Sequence, residues 1–101
     1  MTSREVAAAK GAPIYLVAEA SSDGVLIEVR GSSEANYEAL FTVEAKAGEN
    51  RSLHRGFAKI NGQNAVILSS LTLGVPPTGH WSARLRVEPR GSEAYEQIRR
   101  S

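Results

Sequence analysis

The chain has 101 residues, enough for one domain, and its lack of cysteine excludes thiol catalysis, cysteine-ligated zinc and disulfides. Twelve Lys and Arg against eleven Asp and Glu give a net charge of +1, far from the basic excess typical of nucleic-acid-binding proteins. No apolar run approaches the roughly 20 residues of a membrane helix, so we expect neither nucleic acid nor a membrane as partner.

The first third of the chain predicts a β-hairpin that follows a flexible N-terminal segment, residues 1–12. Ile14 to Glu19 is apolar enough for a first strand. Ser21-Ser22-Asp23-Gly24 contains Asp-Gly, a strong hairpin signal. From Val25 to Arg30 apolar and polar residues alternate, the period of two that a β-strand requires. Gly31-Ser32-Ser33 is predicted to end this second strand.

The middle of the chain predicts two further strands. Alternation from Tyr37 to Lys46 favours a strand over a helix, although Ala, Glu and Leu there are good helix formers. Gly48-Glu49-Asn50 is predicted to be a turn. Ser52 to Ile60 is then predicted to form a strand in which Gly56 marks a bulge or a close-approach point. Asn61-Gly62 is a second strong turn dipeptide.

The last third predicts two or three strands. Ala65 to Leu73 is rich in Val, Ile, Leu and Thr and is predicted to be a buried strand. Gly74 to Gly79 contains two prolines, which cannot donate to a β-ladder, and is predicted to be a loop. Trp81 to Glu88 alternates cleanly and ends at Pro89-Arg90-Gly91. For the tail, Ser92 to Ser101, we favour a strand over one helical turn.

About seven short strands in one hundred residues predict the fold class. We expect an all-β protein, an immunoglobulin-like β-sandwich of about seven antiparallel strands in two sheets, with residues 1–101 forming one domain. Apolar residues at inward positions are expected to fill its core, and the aromatic ones are Tyr37, Phe41, Phe57 and Trp81.

No residue pattern indicates catalysis. His54 and His80 are far apart in sequence and have no Cys or carboxylate at metal-ligand spacing, so structural roles are expected for both. The chain contains no nucleophile elbow, phosphate loop or zinc-protease motif. We therefore expect no catalytic residue, no metal and no cofactor, and interpret the chain as a binding protein and not an enzyme.

Basic residues at outward strand positions are the candidate binding site. They are Arg30, Arg55, Lys59, Arg84 and Arg86. If several share one sheet, they form a positive patch despite the near-neutral total charge. One alternative is that Glu28, Glu44 and Glu88 neutralise them as ordinary cross-strand pairs. Another is that they guard exposed strand edges against aggregation.

Three stretches carry a resemblance to a known family. Ala65 to Gly74, Gly79 to Val87 and Arg55-Gly56-Phe57, together with the absence of cysteine, resemble the CsgC-like family of curli-system chaperones, in particular its alphaproteobacterial CsgH branch. The resemblance spans roughly Pro13 to Arg99. CsgC itself carries a Cys-x-Cys motif. This sequence has no cysteine, so the resemblance implies no thiol mechanism for it.

The resemblance implies a function. It implies a monomeric periplasmic chaperone, with its signal peptide removed, that keeps the curli major subunit from forming amyloid through transient electrostatic or strand-edge contacts. The start at Met1 is equally compatible with an intracellular protein. Two other classes remain open: a passive structural or adhesive sandwich module of a surface assembly, and a small enzyme, which an apolar pocket with converging polar groups would reveal.

Overall fold

Alternating apolar residues build five antiparallel strands and one terminal helix. The computed structural model describes residues 2–5, 13–21, 24–74 and 79–100. The elements are β1 (Thr2–Glu5), β2 (Ile14–Ser21), β3 (Gly24–Ala47), β4 (Asn50–Leu73), β5 (Trp81–Pro89) and α1 (Glu93–Arg100). Strand order is β1-β2-β3-β4, and β5 also pairs with β3. The fold is therefore all-β and antiparallel, as predicted. No helix among these ranges has the length and apolar character to cross a membrane.

The two long strands are each divided into halves that have different partners. Residues 24–31 of β3 pair with β2 and with residues 66–73 of β4. Residues 37–47 pair with residues 50–60 of β4 and with β5. We call the first group, with β1 and β2, the β2 layer, and the second group, with β5, the β5 layer.

The two layers face each other because β4 doubles back on itself. His54 and Ser69 lie 15 residues apart on this strand, yet His54 Nδ1 and Ser69 Oγ are 3.3 Å apart. A straight strand would separate them by about 50 Å at ~3.3 Å per residue. Register shifts between Val29 and Tyr37 accompany the fold-back, and at Gly31 the side chain of Ile60 occupies the space where a Cβ would lie.

Both layers contribute to one hydrophobic core. Val25, Ile27 and Val29 of the β2 layer and Val43 and Ala45 of the β5 layer are almost completely buried in the same cluster. Odd-numbered β3 residues point inward in both halves, which agrees with the predicted alternation. The even-numbered residues between 38 and 46 consequently point to the outer face of the β5 layer.

The turn predictions are confirmed in part. Antiparallel pairing of Ser21 with Gly24 confirms the first hairpin, whose two central residues lie outside the described ranges. Gly48, with φ of 61°, and Glu49 form the two-residue turn between Ala47 and Asn50. Glycine suits this first central position because φ is positive there. Residues 75–78 of the predicted proline loop also lie outside the described ranges.

Two predicted interruptions are wrong: Gly31-Ser32-Ser33 does not end a strand, and Asn61-Gly62 is not a turn between two strands. The segments 31–33 and 61–62 lie within β3 and β4, which bend there and continue, so the structure has five strands where about seven were predicted. Glycines permit such bends without ending the ladder. Gly56 is a close approach, because a Cβ there would contact the Phe41 ring, and no register shift lies beside it.

Two burial predictions are also wrong. Within the strand predicted as buried, 65–73, only Leu71 and Leu73 are buried, because this part of β4 pairs with β3 on one side only. Phe57 is 51% exposed on the outer face of the β5 layer, since its β-partner Leu40 points outward. Phe41 is in the core, and Tyr37 and Trp81 pack against it, as predicted.

The tail forms helix α1, and the predicted last strand is wrong. Ser92 caps the helix, because its Oγ accepts a hydrogen bond from the Tyr95 N–H at 3.3 Å. Glu93 and Glu96 occupy the first turn, and Arg99 and Arg100 the last, which suits the helix dipole. These capping and charge signals outweigh the strand preference of a single tyrosine.

The N-terminal segment is described only in part. Thr2–Glu5 forms β1 and pairs with Val17–Ala20 of β2. Residues 1 and 6–12 lie outside the described ranges, so the expected flexibility of 1–12 stays a prediction there.

Candidate functional site: a cationic sheet face

The outer face of the β5 layer gathers four of the five predicted site residues. Residue Thr42 at its centre pairs with Arg55 on β4 and with Arg86 on β5. One row further along, Glu44 pairs with Arg84. Side chains at paired positions lie on the same face of a sheet, so the strand register brings these arginines together.

The fourth predicted residue, Lys59, lies on the same face opposite Glu38. The face also contains three basic residues that are not among the five predicted site residues, namely Lys46, Arg51 and Arg90. The face carries seven cations, six on its strands and Arg90 directly after β5, against three carboxylates, Glu38, Glu44 and Glu88, which leaves a net charge of +4. We call this surface the cationic face. It is far more positive than the whole chain at +1.

Only part of this charge is neutralised. Arg51 forms an ion pair with Glu44, and Arg90 forms one with Glu38 at 2.5 Å. Across the described residues, no carboxylate lies within ion-pairing distance of the five remaining basic groups, Lys46, Arg55, Lys59, Arg84 and Arg86. These side chains are exposed and therefore present their charge to an incoming ligand.

Arg30 is not part of the cationic face. It lies on β3 in the β2 layer, where its guanidinium contacts Glu28 at 2.5 Å. The hydrogen bond that Arg30 donates to the Glu28 carboxylate raises the pKa of Arg30 above its usual value. The prediction that Arg30 joins the patch is thus not supported by the register, because residues 31–36 separate the two layers.

The expected cross-strand neutralisation by glutamates occurs at one of three sites, where Glu44 on β3 pairs with Arg51 on β4. Glu28 is paired with Arg30, which lies on the same strand. Glu88 has no ion pair within the described part of the chain. Among the described residues, 50–60 and β5 each have one unpaired side, so these cations lie on edge strands, where the alternative interpretation places them.

Apolar groups accompany the charges on this face. A shallow depression of about 180 Å³ is lined by Thr42, Glu44, Leu53, Arg84 and Arg86. Leu53 is 54% exposed. Next to it, the Phe57 ring meets the Tyr95 ring of α1 edge to face at 5.3 Å. The combination of open cations and exposed apolar side chains suits an extended polypeptide that carries both acidic and apolar residues.

Other chemistry has little support among the described residues. His54 is held by Ser69, a structural role as predicted, while His80 is exposed next to Trp81. Across residues 2–5, 13–21, 24–74 and 79–100, no three His, Asp or Glu side chains are grouped to hold a metal ion.

Fold and face together define a small antiparallel all-β domain with one strongly cationic sheet face. Searches for relatives found none: no protein-family model, no curated protein and no solved structure matches this chain.

Glu44 gives the cationic face a measurable pH dependence. The hydrogen bond from Arg51, together with the positive charges of Arg51, Lys46 and Arg84, lowers the pKa of the Glu44 carboxyl. A carboxyl with a lowered folded-state pKa stabilises the fold above its unfolded value of about 4.3. That contribution is lost as the pH falls through the lowered folded value.

We therefore expect Glu44→Gln to lower the free energy of unfolding at pH 7 and to have no such effect once Glu44 is protonated. Urea unfolding of both proteins at pH 7 and in a series down to pH 2 measures the difference. An equal difference at every pH would show that the carboxylate charge is not the cause, and that the amide simply packs less well.

Proposed function

We propose that this protein is a monomeric, immunoglobulin-like chaperone of the periplasm. Its cationic face binds the unfolded curli major subunit transiently and delays the nucleation of amyloid. The observation that carries the proposal is the group of five cations without ion-pair partners among the described residues, next to exposed apolar side chains; they are Lys46, Arg55, Lys59, Arg84 and Arg86.

The strand arrangement supports the sandwich assignment. Counting the halves of β3 and β4 separately gives seven strand segments in two facing layers. The β2 layer has the order β1, β2, 24–31, 66–73, and the β5 layer has the order 50–60, 37–47, β5. Two facing antiparallel layers around one core are the architecture of a β-sandwich.

Charge on a rigid sheet face suits a transient chaperone. Electrostatic attraction speeds encounters with an oppositely charged chain and contributes more to association rate than to affinity. Fast and weak encounters with an unfolded subunit interrupt the early pairing of strands from which amyloid grows. The domain needs no energy source or cofactor for such an action.

The test is a thioflavin fluorescence time course of purified curli major subunit with this protein at one part in a hundred or less. We expect a long delay before fibril growth, and no delay with an unrelated β-sandwich domain of similar net charge. A delay that appears only near one equivalent, with a stable complex on gel filtration, would instead indicate a passive structural module. An unchanged time course would overturn the proposal.

A further inference from the structure

The second half of β4 is an exposed strand edge with an unusual composition. Among the described residues, 66–73 pair with β3 on one side only. Every second residue of an edge strand directs its backbone N–H and C=O away from the sheet, where they can pair with another strand. Val66 and Ile67 are 47% and 59% exposed at this edge. We call residues 66–73 the uncharged edge, because the chain has no charged residue from position 60 to position 79.

The other edges of the molecule are protected. The first half of β4, on the same strand, carries Arg51, Arg55 and Lys59. The outer edge strand β5 carries Arg84 and Arg86. Strand β1 has only four residues. Charged side chains and short length are the usual ways of preventing strand addition, and the uncharged edge has neither.

We infer that the uncharged edge binds an extended, uncharged segment of the client as an added β-strand. The inference rests on the proposed function for the identity of the client. Backbone hydrogen bonds supply the attraction in such a complex, and the alternate side chains of the added strand select its sequence. A client segment rich in Ser, Thr, Asn, Gln and small apolar residues matches the Ser, Thr and aliphatic side chains of this edge.

A flexible client fits this edge better than a second copy of the folded domain. The ladder between β3 and β4 shifts register between Val29 and Arg30, opposite Ile67 to Ser69. Such an irregularity twists an edge and hinders pairing between two rigid sheets that both carry it. An unfolded chain adapts its backbone to the twist.

Occupation of this edge also explains how one weak contact hinders fibril growth. Amyloid extends when a new strand adds to an exposed edge of a nucleus. A client strand that is paired with the uncharged edge has the folded domain along one of its two sides. No further client strand can add to it on that side. The cationic face lies on the other half of the same strand, so both surfaces contact one client chain.

The variant Ile67→Lys tests the edge. It places a charge on the unpaired strand, and Leu26→Lys is the matched control, because Leu26 is 37% exposed on the same outer face but lies on β3 between two neighbours. We expect Ile67→Lys to raise the protein concentration needed for a given delay about tenfold, equivalent to roughly 1.4 kcal/mol of binding, and Leu26→Lys to change it little. Equal delay with wild type and a folded Ile67→Lys would overturn the inference while leaving the chaperone function intact.

Amide hydrogen exchange provides a readout that does not depend on the curli subunit. An uncharged polyglutamine peptide serves as the probe, and we expect it to slow exchange within residues 66–73 of the wild type but not of Ile67→Lys. This protection, without any effect on curli fibrils, would support the edge and refute the proposed function. If the peptide slowed exchange in neither the wild type nor Ile67→Lys, the inference that this edge binds a strand would be overturned. A dimer in sedimentation without peptide, abolished by Ile67→Lys, would show that a second copy occupies the edge and would also overturn it.

Discussion

The double variant Arg55→Glu/Arg86→Glu is expected to lose the ability to delay curli fibril formation while remaining folded. Both side chains flank Thr42 in one cross-strand row, and neither is held by an ion pair among the described residues. The two changes convert the cationic face from a net charge of +4 to neutral. An attraction that steers the client to this face then disappears, and electrostatic steering is worth about 10- to 1,000-fold in association rate.

A matched control separates the face from the total charge. Arg30→Glu/Arg100→Glu changes the net charge of the chain by the same amount, but Arg30 lies on the β2 layer and Arg100 at the end of α1. We expect this control to retain most of the delay. Arg30→Glu removes the half-buried ion pair with Glu28, and a single pair of this kind contributes little to stability. Thermal unfolding of each variant identifies any that fails to fold.

Salt provides a second measure of the same interaction. Raising the ionic strength from about 0.01 M to 0.15 M shortens the Debye length from roughly 30 Å to 8 Å, which screens long-range attraction. The delay caused by the wild type should become shorter as salt is added. Any residual delay caused by Arg55→Glu/Arg86→Glu should be the same at both ionic strengths. Equal loss of delay in both double variants would assign the effect to net charge, and an undiminished delay in Arg55→Glu/Arg86→Glu would exclude the cationic face as the client site.

The part of this site that the sequence predicts is the part that local alternation determines. Arg84 and Arg86 alternate with Trp81, Ala83 and Leu85, and a period of two allows only one side for each set once the aromatic residue packs inward. The outward position of Arg55 and Lys59 does not follow from this rule, because Phe57 lies on the same face of β4 and was predicted to be in the core. Strand periodicity together with an apolar inner face was sufficient only for Arg84 and Arg86.

Which of the candidate residues lie together on one layer depends on the long-range register of the strands, and alternation along a single strand does not reveal it. Arg30 shares its outward direction with the other candidates but belongs to the opposite layer, because β3 bends between residues 31 and 37. Gly31-Ser32-Ser33 looks the same in sequence whether the strand ends or bends there. The two ion pairs of the cationic face also depend on register: Arg90 and Glu38 lie 52 residues apart, and Arg51 meets Glu44 because a two-residue turn at Gly48 sets the hairpin register.

The tail shows a different kind of failure. Tyr95 favours a strand, but Ser92 supplies a helix cap and the charges of Glu93 and Arg100 match the helix dipole. These signals were readable in the sequence. The ring contact that fixes the helix, between Tyr95 and Phe57, joins residues 38 positions apart and could not be read from the sequence. Phe57 was therefore assigned to the core when it forms a small separate cluster outside it.

Gly24→Ala is expected to be the most damaging single-methyl change in the described fold. Gly24 begins β3 with φ of 150°, a conformation that residues with a Cβ rarely adopt. A Cβ there would also overlap the carbonyl oxygen of Leu73, which belongs to the backbone of the neighbouring strand and cannot rotate away. The strand pair must shift at the start of a ladder whose next residue, Val25, is fully buried.

Gly62 separates the two causes, because it has nearly the same φ, 152°, and no atom within 4 Å of the place where a Cβ would be. Gly62→Ala thus measures backbone strain alone, about 1–3 kcal/mol. We expect Gly24→Ala to lower the free energy of unfolding by roughly 2 kcal/mol more, the cost of overpacking against a fixed neighbour. In a domain with about 5–15 kcal/mol of total stability, such a loss is large. Chemical unfolding of the two variants gives the comparison directly, and equal losses would show that the strands separate at Leu73 without cost.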